Sequence, residues 1–201
     1  MADESLSSSV TTLGATVFFA PVQPEQLDRI HALEEASYPA DEAATYEKLK
    51  FRIENASNVF LVALSAPEGA GEPQVVGFVC GTQTRAPKLT HESMSTHDAD
   101  GSLLCIHSVV VDPALRRRGL ATRMLRAYTP YVCATTPHLT GIRLLSKQDL
   151  VPLYEAAGFK VLGPSDVVHG ADVWYECALE LNGGGSGEGP EGQGEEQAAD
   201  C

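Results

Sequence analysis

Residues 102–128, SLLCIHSVVVDPALRRRGLATRMLRAY, constrain the fold more than any other part of the chain. The first ten or so are rich in Leu, Ile and Val and read as a strand buried on both faces. Asp112-Pro113 ends that run, because proline cannot donate to a ladder. Arg116, Arg117, Arg118 and Gly119 follow, and then Leu120, Met124, Leu125 and Tyr128 at helical spacing. The segment is therefore strand, basic turn, helix. The helix is predicted to begin among residues 117–120, where unpaired N–H groups and the positive dipole end favour an anion. Gly119 would let that anion approach the backbone closely.

The remaining pattern places this unit in a larger sheet. Residues 16–19 form a predicted strand closed by Pro21. Pro24-Glu25 opens a helix lined by Leu27, Ile30, Leu33 and Ser37 that ends near Tyr38-Pro39. Asp41-Glu42 is read as the cap of a second helix carrying Tyr46, Leu49, Phe51 and Ile53. Residues 59–64 and 75–81 are strands around a Gly/Pro-rich loop, and a long polar loop fills 82–100. A strand at 142–145, a short helix over 148–157 stopped by Gly158, and strands at 159–162 and 173–181 complete the pattern. Such alternation implies an α/β fold on a mixed sheet. Residues 1–14 are expected to be loose, 15–181 to form one domain, and the acidic, Gly-rich 182–201 to be disordered.

Residues 116–121, RRRGLA, resemble the Arg/Gln-x-x-Gly-x-Gly/Ala signature of the GNAT superfamily of acetyl-CoA-dependent N-acetyltransferases. A solvated basic turn is the plainer alternative. The resemblance implies a central mixed sheet flanked by helices, with acetyl-CoA as cosubstrate and no metal. It implies that Arg116, Arg117, Arg118, Gly119, Leu120, Ala121 and Thr122 hold the pyrophosphate, and that the backbone of Val109, Val110 and Val111 aligns the pantetheine arm. Two more segments narrow it. LTHESMSTH at 89–97 and VPLYE at 151–155 are similar to segments of the arylalkylamine (serotonin) N-acetyltransferases, and the similarity runs from about residue 30 to 181. His107 and Tyr154 then fall on that family's catalytic histidine and tyrosine. Two departures point to a non-vertebrate type. Cys105 stands where vertebrate members have a second histidine, and their Cys-Pro-Leu loop is replaced by Tyr38-Pro39-Ala40-Asp41.

The chemistry explains why such residues would be needed. An alkylammonium, with a pKa of about 10, must lose a proton near neutrality, and the departing thiolate must gain one. His107 is an unusual residue inside an apolar strand and suits the first task, although a neutral core imidazole is the bland reading. Strict alternation puts it on one face with Cys105, Val109 and Val111. Tyr154 suits the second task, with core filling as its alternative; Ser108 is a weaker candidate. For the amine, Tyr38, Pro39, Phe51, Phe60 and Cys105 are the expected contacts, with His91 and Glu92 on a neighbouring loop. Phe51 and Phe60 read first as core, and Glu92 equally as a structural partner.

Composition bounds the rest. The 201 residues carry a net charge of −13, which repels nucleic acid, and five tail acids leave the remainder near −8. Neither a membrane span nor a signal peptide is readable. Five widely spaced cysteines without C-x-x-C suggest neither a disulfide framework nor zinc. A cytoplasmic monomer is expected, a Ser/Thr-rich start also suiting a plastid protein, and no 14-3-3-binding flank is present. A polyamine or protein-lysine acetyltransferase is the alternative activity, and a non-catalytic acyl-CoA-binding protein a third.

Overall fold

A computed structural model of the chain describes residues 10–12, 15–66, 71–90, 92–166 and 173–181. His91, the 182–201 tail and most of residues 1–14 lie outside these. Among the described residues eight strands form one sheet in the order β1-β2-β3-β4-β5-β6-β8-β7. They are β1 (Val10–Thr12), β2 (Ala15–Pro21), β3 (Phe60–Ala66), β4 (Gln74–Thr84), β5 (Leu103–Val111), β6 (Gly141–Lys147), β7 (Lys160–Pro164) and β8 (Trp174–Glu180). The helices are α1 (Leu27–Glu35), α2 (Tyr46–Asn55), α3 (Leu120–Thr135) and α4 (Val151–Ala156). The expected order of elements is present, with β1 added inside the stretch expected to be loose. Among the described residues no helix is long and apolar enough to cross a membrane.

Two apolar layers cover the sheet. On one face Leu104, Ile106 and Val111 of β5 pack with Met124, Leu125 and Tyr128 of α3. On the other, Phe60, Phe78 and Val110 pack with Ile30 and Leu33 of α1 and Leu49 of α2. Each such fully buried side chain contributes about 1.5–3 kcal/mol. Three boundaries differ from the sequence expectation. The cap of α2 is Thr45, whose hydroxyl accepts from Lys48 N–H, rather than Asp41-Glu42, because the chain is still turning there and Glu42 is drawn to Lys147. β4 runs on through Thr84, so the long loop starts later; Thr82 and Gln83 are polar but satisfied internally and pair with Cys105 and Leu104. Finally, β5 does not alternate strictly.

That last difference matters most. Cys80 lies opposite Ser108 and Gly81 opposite Ile106, which leaves His107 as an extra, unpaired residue, a β-bulge. Gly81 permits it: a Cβ there would sit 2.4 Å from the Cys105 carbonyl oxygen. Beyond the bulge the alternation is reversed. Val109 and Val111 turn to the α3 side, away from Cys105, while Ser108 faces α1.

Among the described residues the only parallel pair is β5 with β6. Its register covers Leu103 to Ile106 against Gly141 to Leu144 and then stops, although both strands continue. Past Ile106 and Leu144 the sheet is therefore split into a wedge, and His107 is the first β5 residue inside it.

Candidate active site

A cavity of about 150 Å³ fills the wedge. Ile106, His107 and Val109 line one wall and residues 144–147 of β6 the other, and the rest of the lining includes Glu34, Tyr38, Glu42, Tyr154 and Trp174. His107 Nε2 lies 2.7 Å from the Thr82 hydroxyl, which donates at 2.6 Å to the Ser93 carbonyl. With its single proton so spent, Thr82 can only accept from His107. The neutral imidazole is thus assigned as the Nε2–H tautomer, with the lone pair on Nδ1. Nδ1 is buried and has no partner among the described residues. Burial, then the nearby cations Arg52 and Lys48, push the His107 pKa well below the ordinary imidazole value.

Glu34 is the residue that sequence reasoning missed. It is 1% exposed, on α1. Its Oε1 accepts from Ala44 N–H at 2.9 Å and the Ser108 hydroxyl at 3.0 Å, whereas Oε2 is buried without a partner among the described residues. Burial raises its pKa against the pull of those two bonds, Arg52 and His31. A signal did exist: Glu34 is four residues after Ile30 and seven after Leu27, an acid on the apolar stripe of α1.

Tyr154, placed by the single turn and a half of α4, reaches the same cavity as His107. Burial pushes its phenol pKa above the ordinary value, so the hydroxyl keeps its proton at neutral pH. Tyr38 and Pro39 also line the cavity. The Tyr38 hydroxyl accepts from Val109 N–H at 3.4 Å, and burial, with Tyr154 and Glu34 nearby, raises its pKa well above normal.

Three expected amine contacts lie elsewhere. Phe60 is fully buried against Phe78, 5.6 Å between ring centroids, in the α1/α2 core. Phe51 is 38% exposed on the outer side of α2, because Leu49, Arg52 and Ile53 take the inner face. Cys105 sits ahead of the bulge with Leu89 and Leu103; burial pushes its thiol up to about 11, and it points to the Ser93 hydroxyl at 3.6 Å. Of the loop acids, Glu92 is exposed.

The residues expected to receive an anion lie at the mouth of the wedge. Asp112 N–H bonds to Val76 O, so by the two-residue ladder rhythm Val110 spends its N–H on β4, while Val109 and Val111 present theirs to the wedge. Only two of the three valines therefore offer a backbone edge. Arg117 (φ 61°) and Gly119 (φ 75°) are left-handed and turn the chain into α3. A Cβ at Gly119 would meet nothing within 4 Å, so the space before the helix start is open. Leu120, Ala121 and Thr122 are its first turn, whose N–H groups have no intrahelical acceptor. Arg117 and Arg118 are exposed beside it. Arg116 is used differently. Its guanidinium bonds to Val111 O at 3.1 Å and the Ser37 hydroxyl at 2.9 Å, fixing the turn to the end of α1. Arg29 of α1 adds a second tie, to Asp112.

A sheet split after one parallel pair, with a basic helix-start turn at the opening, defines the GNAT acyltransferase fold. The comparisons agree: the model of the acetyltransferase (GNAT) family matches residues 27–159, and the chain belongs to that family. Serotonin N-acetyltransferase of Mesocricetus auratus is 28% identical over 110 residues, 55% of this chain and 53% of the relative. The Homo sapiens protein of the same name is 27% identical over 109 residues, 54% and 52%. The chain thus spans about half the length of the curated relatives it matches. Among solved structures, the loading GNATL domain of CurA from Lyngbya majuscula has a TM-score of 0.69 at 14% identity, covering 82% of this chain and 97% of that one. Arabidopsis thaliana NAA60 in complex with acetyl-CoA has a TM-score of 0.63 at 20% identity, covering 84% and 100%. These two establish similarity of fold.

Proposed function

We propose that residues 15–181 form one catalytic unit that moves the acetyl group of acetyl-CoA to the primary amine of an arylalkylamine of the serotonin, tryptamine, tyramine or phenylethylamine class. One observation carries this reading: Nδ1 of His107 and Oε2 of Glu34, two buried acceptors without partners among the described residues, belong to the walls of one cavity. An ammonium is the group that satisfies a buried carboxylate and an imidazole lone pair together.

Acetyl-CoA, as cosubstrate, would bring the thioester. The open helix start at Gly119 and the exposed Arg117 and Arg118 fit its pyrophosphate, and the wedge-facing amides of Val109 and Val111 fit an extended arm beside β5. The Val109 amide is held by Tyr38 and would exchange that long bond for the arm. Glu34 would hold the ammonium, and His107 Nδ1 would take its proton, directly or through water. The Thr82–Ser93 chain keeps Nε2–H pointed away, so the lone pair stays on the reacting side. The neutral amine nitrogen would then bond to the acetyl carbon as the carbon–sulfur bond breaks, Tyr154 would supply the proton to the departing sulfur, and the second proton shed by the nitrogen would restore the Tyr154 phenol, directly or through water. Donor and acceptor would be held together in one ternary complex, without a protein-bound acetyl group.

The aromatic class is supported by the apolar lining of Tyr38, Leu89, Leu145 and Trp174 and by the similarity to serotonin N-acetyltransferases. The test is thiol release from acetyl-CoA on adding serotonin, tryptamine, tyramine, phenylethylamine or spermidine, with the N-acetyl product identified by mass. No release above spontaneous hydrolysis with any amine refutes the reading.

A further inference from the structure

We infer that Lys147 makes this site select monoamines over aliphatic diamines, by occupying with its own ammonium the place that a second substrate ammonium would need; the inference rests on the acetyl-transfer reading. The cavity has two carboxylates in its wall, Glu34 and Glu42. Glu42, in the loop between α1 and α2, has a side chain only 5% exposed. Lys147, the last residue of β6, donates to Glu42 Oε1 at 2.8 Å, and its Nζ stands 5.3 Å from the centre of the Trp174 ring. A carboxylate beside an aromatic face is a recognition site for an alkylammonium. Here a four-carbon stem ending in an ammonium is already supplied by the chain itself.

The position suits this role. Lys147 lies three residues past Leu144, the last β6 residue paired with β5, so it stands roughly 10 Å along the strand from where the wedge opens. His107 and Glu34 define the end where the reacting nitrogen would lie. A diamine reaching toward Lys147 would bring a second cation against the lysine's own, with Glu42 already engaged. That cation would lose water and gain a like-charged neighbour. An aryl or alkyl tail has no such requirement and meets Leu145 and Trp174 instead.

The experiment compares kcat/KM for phenylethylamine, butylamine and putrescine in the full chain and in Lys147→Met, which keeps the stem and removes the charge. Butylamine and putrescine differ only in the second amine. The wild type should favour butylamine over putrescine, and Lys147→Met should raise the putrescine-to-butylamine ratio about tenfold or more, as a newly available charged hydrogen bond would. Adding Glu42→Gln to Lys147→Met should abolish the gain. A wild type that uses both amines equally, or a Lys147→Met chain with an unchanged ratio, overturns the inference while leaving acetyl transfer intact. Should Lys147→Met not fold, competition against phenylethylamine in the wild type decides: weaker inhibition by putrescine than by butylamine supports the inference, and equal inhibition refutes it. Failure of every amine to release thiol above spontaneous hydrolysis overturns the parent reading and this one together.

Discussion

Replacing Glu34 by glutamine should weaken amine binding and strengthen the fold. The glutamine oxygen can keep the bonds from Ala44 N–H and the Ser108 hydroxyl, so the change is confined to the other atom, where a carboxylate oxygen becomes an NH₂. A hydrogen bond to a charged group is worth about 1.5–3 kcal/mol, so the amine KM should rise roughly ten- to a hundredfold with the acetyl-CoA KM unchanged. The stability change follows from the pKa. Burial raises the Glu34 pKa, which means that folding favours its protonated form. Its contribution is therefore full at acid pH and is lost as pH rises through the raised pKa. Glutamine has no such loss. At neutral pH the variant should melt higher than the wild type, the gap closing toward the acid end. Initial rates with phenylethylamine and thermal melts across pH test both halves. An unchanged amine KM, or a lower melting temperature at neutral pH, refutes the assignment.

His107→Gln should slow turnover most at neutral pH and recover as pH rises and free amine accumulates; a pH profile parallel to the wild type removes His107 from the proton path. Because the His107 pKa is depressed, the wild type should lose stability on acidification through and below the ordinary imidazole pKa, and His107→Gln should lose less, as acid melts would show. Tyr154→Phe should lower kcat with little effect on the acetyl-CoA KM, and an undiminished kcat denies it the acid role. Gly119→Val should cost about 1–2 kcal/mol of backbone strain at φ 75° and lower acetyl-CoA affinity measured by calorimetry; unaltered affinity would place the pyrophosphate elsewhere.

The arginine turn and its flanks were legible because each depends on local chemistry: Asp112-Pro113 ends a strand wherever it falls, and a glycine before an apolar helical stripe marks an open helix start. The bulge at His107 was not. The β5 sequence looks regularly alternating, and the extra residue is revealed only by its pairing with β4, where Gly81 makes room. That one-residue slip moved Val109 and Val111 to the opposite face and took Val110 out of the wedge. Glu34 escaped notice because an acid on a helix is ordinarily solvated, and the Ser108 hydroxyl that bonds it in the interior is 74 residues away. Phe60 and Phe51 show the converse. An aromatic side chain gives the same sequence signal in a core, on a surface or in a cavity, and only helix and strand packing told them apart.

The two ties from α1 to the arginine turn, Arg29 to Asp112 and Arg116 to Ser37, have a mechanical consequence. The same short rod carries Glu34 along its length and Tyr38 just past its end, so displacing the turn drags the amine side with it. On the proposed function, drift in the arginine turn would therefore not be silent for acceptor choice, and a chain evolving a new amine would have to keep that brace while it changes the lining.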